Sequence, residues 1–269
     1  MKVRKPFVAG SFYPGKEETL RKTIFDFLNK AQRYERNYFA FISPHAGYPY
    51  SGQVAAYVYK AIENLDFEKI LLIGVSHNAI FDYAAIDEND EWETPLGKIE
   101  VDKEIIYKLI EDKNFKIDSS PHDIEHSLEV QIPFIQVVKP KAKIIPILIG
   151  NSNFSFLENV AKKIFDIYNE EKFLIIVSSD MYHGYSYEEC LKFDSRTKNL
   201  ILEMNSQKFH RAIDKEIMAC GAYAITILLR FCEILGNVKA EVLRETNSAK
   251  VTGNYYGYVV GYLSVGFYK

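Results

Sequence analysis

Three histidines and one aspartate lie in loops that each follow a run of apolar residues. The first run ends at Ser43 and leads into Pro44-His45, and the second leads into Ser76-His77. The third leads into Ser178-Ser179-Asp180, with His183 three residues further on. Histidine is the commonest metal ligand and the usual acid or base near neutral pH. Because open α/β sheets bind ligands beyond the carboxyl ends of their strands, we expect these side chains to form one site.

The third loop offers an aspartate and a histidine on one short segment. If a helical turn opens at Asp180, its side chain and that of His183 face the same pocket. Asp180 could then orient a histidine, bind a metal, or cap the helix expected from Tyr187. Ser178 and Ser179 lack the GxSxG elbow of a hydrolase, so we do not interpret them as nucleophiles.

A second concentration of polar groups is the segment His122-Asp123-Ile124-Glu125-His126-Ser127-Leu128-Glu129. Glu125 and Glu129 have helical i, i+4 spacing and would share one face of a helix. The pattern is not HExxH, which excludes a zincin. Two interpretations remain open. The segment is a solvated helix N-terminus with carboxylates near the positive end of the dipole, or Glu125 and His126 support metal ligands through hydrogen bonds.

The cysteines suggest a ligand rather than a disulfide framework. There are three, an odd number, and no CxxC pair. Cys190 and Cys232 lie in helical patterns and are expected to be buried. Cys220 precedes a helix start, where the pKa of a thiol falls and a thiolate can bind metal. Histidines with a cysteine or carboxylate suit zinc, iron or copper rather than magnesium or calcium.

Three tyrosines lie beside the candidate site residues in sequence. Tyr48 and Tyr50 follow His45, and Tyr182 directly precedes His183. Each side chain could line the pocket or simply pack within its loop.

The helical and strand patterns in the rest of the sequence predict an α/β fold that carries these loops. Helical spacing is found over 16–32, 51–65, 102–112, 154–168, 187–204 and 221–235, and another helix begins near Ser120 or Glu125 and runs to about 137. Further strands are expected over 83–86, 143–148, 240–246 and 255–267. The alternation predicts a largely parallel or mixed sheet flanked by helices. No linker divides the chain, so we expect a single domain over 1–269.

Composition excludes some classes of partner. The formal net charge is −3, with 33 basic and 36 acidic residues intermixed, so a nucleic-acid partner is not expected. No apolar run approaches the roughly 20 residues of a membrane span. No apolar segment follows the basic residues of Met1–Pro6, so a signal peptide is not expected and cytoplasmic location is the default.

Eight ordered motifs resemble the Memo family, also called the AmmeMemoRadiSam system protein B family. The resemblance runs nearly end to end, from Ala9-Gly10-Ser11-Phe12-Tyr13-Pro14 to Val259-Val260-Gly261-Tyr262. Between them lie Pro44-His45-Ala46-Gly47-Tyr48 with Tyr50-Ser51-Gly52, Gly74-Val75-Ser76-His77, Thr94-Pro95-Leu96-Gly97, Glu125-His126-Ser127-Leu128-Glu129, Ser178-Ser179-Asp180 with His183, and Cys220-Gly221.

The resemblance implies the fold of class III extradiol (LigB-like) nonheme iron dioxygenases. It places His45, His77 and Cys220 at the metal-pocket positions, and Asp180 with His183 at the neighbouring catalytic pair. The dioxygenases use a glutamate where this chain has Cys220. A second departure is Met181-Tyr182-His183-Gly184, where many relatives have Ser-His-Tyr. The family name implies a genomic association with AMMECR-type and radical-SAM proteins.

Three hypotheses follow for function. The leading one is a divalent metal protein, with iron or copper preferred and zinc as the alternative, that can also be purified metal-free. It would be an oxidoreductase using O₂ on a small electron-rich substrate, with His183 as acid/base oriented by Asp180. The second is a non-catalytic module that captures a peptide or partner protein in the same pocket. The third is a zinc-dependent hydrolase.

Overall fold

The apolar runs form strands of a large mixed sheet. The structure is a computed structural model that describes residues 1–150, 152–213 and 215–269. The strands are β1 (Val3–Arg4), β2 (Tyr38–Ser43), β3 (Lys69–Val75), β4 (Ala84–Ile86), β5 (Glu91–Thr94), β6 (Gly97–Glu100), β7 (Phe115–Ile117), β8 (Lys143–Ile149), β9 (Leu174–Ser178), β10 (His183–Gly184), β11 (Lys239–Asn247) and β12 (Val259–Tyr268).

Helices cover this sheet. They are α1 (Glu17–Lys30), α2 (Gln53–Ile62), α3 (Lys103–Leu109), α4 (Ser120–Asp123), α5 (Ile132–Val138), α6 (Phe154–Glu170), α7 (Tyr187–Leu202), α8 (Ser206–Ala212), α9 (Ala222–Leu235) and α10 (Ser248–Thr252). Helix α9 packs on β3 and β9 and contacts α6, whereas α2 packs on β2 and β12 and contacts α1 and α5. None of the described helices is both long enough and apolar enough to cross a membrane.

The sheet order brings the three site-bearing strands together. Among the described residues, eight strands follow the order β10-β12-β2-β9-β3-β8-β4-β7, and β11 also pairs with β12. The pairs β2–β9, β9–β3 and β3–β8 are parallel, while β12 and β4 run antiparallel to their neighbours β2 and β8. Strands buried on both faces read as continuous apolar runs, as in Ile70–Ile73. The prediction of an α/β fold with a central mixed sheet flanked by helices is confirmed.

The segment expected as one helix up to 137 is broken. Helix α4 ends at Asp123, residues 124–128 are irregular, and a 3₁₀ turn over Glu129–Gln131 leads into α5. A hydrogen bond from the Ser127 hydroxyl to the Val75 carbonyl, 2.7 Å long, holds the irregular stretch against the end of β3. Tertiary contact therefore overrides the local helical spacing here.

The last strand starts later than its sequence suggests. The pattern predicts a strand from 255, but β12 begins at Val259. Gly257 has φ +89°, a left-handed conformation that glycine adopts without strain, and the tyrosines on either side of it are exposed. The preceding turn leaves Tyr258 outside the sheet, next to the candidate site.

Candidate metal centre

The three loops lie side by side at one edge of the sheet. Strand β9 lies between β2 and β3, and the carboxyl ends of these parallel strands lead to His45, His77 and Asp180. The expectation that distant parts of the sequence meet at this edge is confirmed. A π-helical turn, Tyr48–Gly52, follows His45 and leads into α2. Such turns are rare in proteins, and those that occur are often located at functional sites.

Three imidazoles form the centre of the site. One ring nitrogen from each of His45, His77 and His126 can be chosen so that all three lie within 4.8 Å of one another. The rings of His77 and His126 stack with centroids 4.4 Å apart. The ring of His45 stands perpendicular to both, at 5.2 and 5.4 Å. This group could hold a metal ion.

Glu125 fixes the orientation of His77. Its Oε1 lies 2.9 Å from His77 Nδ1, and its Oε2 accepts the backbone N–H of His77 at 2.6 Å. The backbone N–H of Ser127 also donates to Oε1, at 2.8 Å. Burial alone would raise the pKa of Glu125, but its interactions with His77 and His126 hold the pKa at about 2. Because the ionised carboxylate only accepts, His77 Nδ1 donates to it, and Nε2 is the ring nitrogen that a metal would bind.

Ser178 fixes the orientation of His45. The Ser178 hydroxyl donates its single proton to the Ser127 carbonyl and accepts from the Gln131 side-chain amide at 2.8 Å. His45 Nδ1, 3.0 Å from the same oxygen, must therefore donate to it. The lone pair of this buried imidazole is then on Nε2, the atom that a metal would bind.

Burial keeps the imidazoles of His45 and His126 uncharged at neutral pH. Desolvation and the neighbouring histidines lower the pKa of His45 well below its ordinary value. Desolvation likewise lowers the pKa of His126 to about 4, against the opposing charge of Glu125. His126 Nδ1 is 3.4 Å from Glu125 Oε1, and its ring packs on Phe12 with centroids 4.6 Å apart. Neutral imidazole is the form that ligates metal, so the donor set suits a first-row transition metal.

Cys220 lies against one member of the cluster. Its Sγ is 3.1 Å from His45 Nε2 and accepts the backbone N–H of Asp180 at 3.2 Å. The residue lies two positions before α9, and the sequence suggests a lowered thiol pKa at this helix start. The structure shows the opposite, because burial and the nearby Asp180 carboxylate raise the pKa of Cys220. The thiol is therefore protonated at neutral pH in the metal-free protein.

Asp180 and His183 both line the site but have separate partners. Asp180 Oδ1 accepts the backbone N–H groups of His45 and Ala46, at 2.8 and 3.3 Å. Burial raises the pKa of Asp180 to about 7. His183 Nδ1 donates to the Met181 carbonyl at 2.9 Å, and burial lowers its pKa. Within the described part of the chain no direct hydrogen bond joins the two side chains, so Asp180 orients the His45 loop rather than His183.

The helix-cap alternative for Asp180 does not describe its position. The side chain that caps α7 is Ser186, which accepts the backbone N–H of Glu189.

A cavity of about 450 Å³ opens above the imidazoles. Its lining residues are Phe12, His45, Ala46, Gly47, Tyr50, His77, His126, Asp180, His183, Ser248, Tyr258, Val260 and Tyr262.

Of the three tyrosines expected on the cavity wall, Tyr50 lines the cavity, whereas Tyr48 and Tyr182 do not. Tyr48 is buried in the core and donates to the Val130 carbonyl at 2.9 Å. Tyr182 is also buried, where its ring stacks on Phe193 and its hydroxyl donates to Glu189 at 3.0 Å.

The sequence pattern predicts a supporting place for His126, and it indicates Tyr50 as one aromatic side chain of the cavity wall. The signal for a larger role of His126 is its position directly after Glu125, which binds His77. Further signals for the wall are Phe12 and Tyr262, which belong to motifs already quoted. Only the late start of β12, which the sequence pattern does not show, frees Tyr258 to join them.

Comparison with known proteins agrees with the motifs. A family model for Memo-like proteins matches residues 4–266. A MEMO1 family protein of Nitrosopumilus maritimus is 37% identical over 278 residues, covering 98% of this chain and 99% of that relative. A MEMO1 family protein of Aquifex aeolicus is 35% identical, covering 99% of this chain and 100% of the relative.

Solved structures share the fold. Among them is an uncharacterized protein, JW3007, from Escherichia coli K12, with a TM-score of 0.57 and 10% identity, covering 86% of this chain and 99% of that chain. At this identity the likeness shows the fold alone. The match of the family model and the near-complete alignments with MEMO1 family proteins go further: the chain belongs to the Memo-like family.

Proposed function

We propose that this protein holds one divalent transition metal on His45, His77 and His126, and acts as a metal-dependent oxidoreductase on a small substrate in the cavity above. The observation that carries the proposal is the cluster of three imidazole nitrogens within 4.8 Å. Two of these imidazoles already carry their proton on Nδ1 through Ser178 and Glu125. Oriented neutral imidazoles with a carboxylate behind one of them are typical of transition-metal sites.

The bound metal would supply Lewis acidity and, if iron or copper, redox chemistry. The protein's own groups do the rest. His183 donates from Nδ1 to Met181, so its lone pair is on Nε2, and its lowered pKa keeps it able to accept a proton at neutral pH. Asp180 holds the His45 backbone, and the aromatic wall excludes water from the substrate.

Metal analysis tests the ligand set. Protein purified without chelator or affinity metal should contain about one metal per chain by inductively coupled plasma mass spectrometry. His126→Ala should lose most of it, whereas His210→Ala should retain it, since His210 lies on α8 outside the cluster. Absence of metal from the wild-type protein, even after anaerobic reconstitution with Fe(II), Cu(II) or Zn(II), would contradict the proposal.

Cys220 offers a rival third ligand, and spectroscopy separates the two. Thiolate ligation to substituted Co(II) gives an intense near-ultraviolet charge-transfer band, which imidazole ligation does not. We expect the band to be absent and the Co(II) affinity of Cys220→Ser to stay within about threefold of wild type. A strong band that Cys220→Ser abolishes would mean that Cys220, and not His126, is the third metal ligand.

The proposed oxidoreductase activity is tested separately from metal binding. The Fe(II)-reconstituted protein should consume O₂ with catechols, and His183→Ala should lower the rate by about 10²–10⁴-fold, the usual contribution of a general acid or base. Stoichiometric zinc in the purified protein, with no O₂ uptake by the iron form, would favour a hydrolase instead.

A further inference from the structure

The cavity has a polar floor and an aromatic wall. The floor consists of the imidazoles and Asp180, and the wall carries Phe12, Tyr50, Tyr258 and Tyr262. These rings come from the N-terminal turn, the π-helical turn after His45, and the two sides of the start of β12. A substrate whose head reaches the imidazoles must therefore place its body among aromatic side chains.

The wall also has no positive charge. Among the described residues, no lysine or arginine lines this cavity. Cations are close at hand, however, because Tyr262 also borders a smaller cavity of about 110 Å³ that is lined by Lys198 and Lys250. Lys198 there pairs with Glu245 at 2.7 Å. Tyr262 thus borders both cavities, whereas these two lysines line only the smaller one.

An anionic group on the substrate body would have no lysine or arginine as a partner on this wall. Anions are recognised in proteins by arginine or lysine clusters and by helix N-termini. The wall offers tyrosine hydroxyls rather than cationic side chains, and the one carboxyl group of the cavity, Asp180, supplies no counter-charge for an anion. Taking an unpaired charge out of water is costly, so such a substrate would lose binding energy.

We propose that the part of the substrate that lies above the imidazoles is uncharged and flat, and that the cavity discriminates against anionic analogues. This inference rests on the proposed function for the role of the imidazoles, but not on which metal they hold. The cavity size is within the range of pockets that take small organic molecules. The wall favours a ring that can stack on tyrosine and phenylalanine.

A matched series of catechols tests this inference. The members are 4-methylcatechol, 3,4-dihydroxybenzoate and 3,4-dihydroxybenzylamine, which share the head group and differ in the charge of the body. Affinity is measured at pH 7 by isothermal titration on Zn(II)-loaded protein and by saturation-transfer NMR on metal-free protein. We expect the neutral compound to bind at least about tenfold tighter than the benzoate, a difference of about 1.4 kcal/mol.

A charge introduced on the wall provides the control. Tyr50 is 47% exposed, so Tyr50→Arg is expected to fold and to raise the affinity for the benzoate at least about fivefold. Tyr107→Arg is the matched variant, because Tyr107 is 62% exposed on α3 and does not line the cavity. Equal binding of the benzoate and the neutral compound to wild type would overturn the inference, as would equal effects of the two variants.

The two proposals fail separately. If no metal binds, the proposed function is wrong. The order of affinities on the metal-free protein still tests whether the cavity discriminates against anionic compounds. If metal binds and the benzoate is preferred, the inferred discrimination against anions is wrong, and the proposed metal centre is unaffected.

Discussion

Two buried glutamates, four residues apart in one segment, have opposite electrostatic surroundings. Glu129 is paired with a permanent cation: its Oε2 lies 2.7 Å from Arg4 Nη1, and both side chains are almost fully buried. Glu125 is equally buried, but its partners are two backbone N–H groups and imidazoles. One carboxylate is neutralised by an arginine, and the other is held by backbone N–H groups and by the imidazoles of the candidate metal centre.

The Glu129 side is a complete structural unit. Both carboxylate oxygens are used, because Oε2 also accepts from Phe7 N–H while Oε1 accepts from Val8 N–H and the Tyr13 hydroxyl. Arg4 completes its own set by donating to the carbonyls of residues 122 and 125 and by stacking on Trp92, with 4.2 Å to the ring centroid. The comparison teaches that charge compensation, and not residue type or spacing, separates a structural acid from a site acid.

The largest effect is expected from breaking the structural pair. Glu129→Gln leaves the Arg4 guanidinium buried without a counter-charge, so the free energy of unfolding should fall by about 3–5 kcal/mol. Urea unfolding of the metal-free protein, followed by circular dichroism, measures it. Glu93→Gln is the control, because it breaks the exposed pair with Lys5 and should change stability little. A loss below about 1 kcal/mol in Glu129→Gln would remove the distinction between the two acids.

Acid sensitivity should distinguish Glu125. Its pKa is depressed from 4.5 to about 2 in the folded protein, so its stabilisation is complete above pH 4.5 and is lost as the pH falls through 2. Each pKa unit corresponds to about 1.4 kcal/mol, which gives about 3 kcal/mol in all. We expect the stability of Glu125→Gln, measured with chelator present, to fall less steeply below pH 4.5 than that of wild type. Parallel pH curves for the two proteins would be inconsistent with this pKa.

Metal affinity should depend on Glu125 and not on the contacts of Glu129. Glu125→Gln removes the carboxylate behind His77, and such changes typically lower metal affinity by about 10–100-fold. Competition with a chromophoric chelator measures the dissociation constant. Tyr13→Phe, which touches only the Glu129 side, is the matched variant and should leave the affinity unchanged. Equal losses in both variants would mean that the segment acts as one unit.

The smallest effect is expected from Tyr13→Phe on stability. The variant removes one of four hydrogen bonds to Glu129 and leaves Arg4 paired, so a loss of about 1 kcal/mol is expected. Thermal unfolding resolves a change of this size. A loss as large as that of Glu129→Gln would show that the hydroxyl, rather than the ion pair, holds the unit together.

The parts of the fold that depend on local pattern could be predicted. Continuous apolar runs identify the strands buried on both faces, and parallel neighbours put their carboxyl ends at one edge. His45, His77 and Asp180 were found in this way. The helix expected over 102–112 is also present, and the side chain of Asp102 caps it by accepting the backbone N–H of Ile105 at 3.0 Å.

The parts that depend on tertiary contact could not be predicted. The i, i+4 spacing of Glu125 and Glu129 suggested a shared helix face, but the chain between them is irregular and the two carboxylates have different partners. Spacing likewise suggested that Asp180 orients His183, whereas the backbone of the His45 loop is its partner. Only the folded structure shows which groups reach a given oxygen.

The anchoring of Arg4 sets an order for assembly of the site. The carbonyl and carboxylate that it binds lie 118 and 125 residues further along the chain. During synthesis, nearly half of the protein must therefore be made after strand β1 before Arg4 can become buried against its partners. Contacts of such long sequence separation close slowly. The loop that carries Glu125 and His126 is consequently secured late, after the strands that present His45 and His77 have been synthesised.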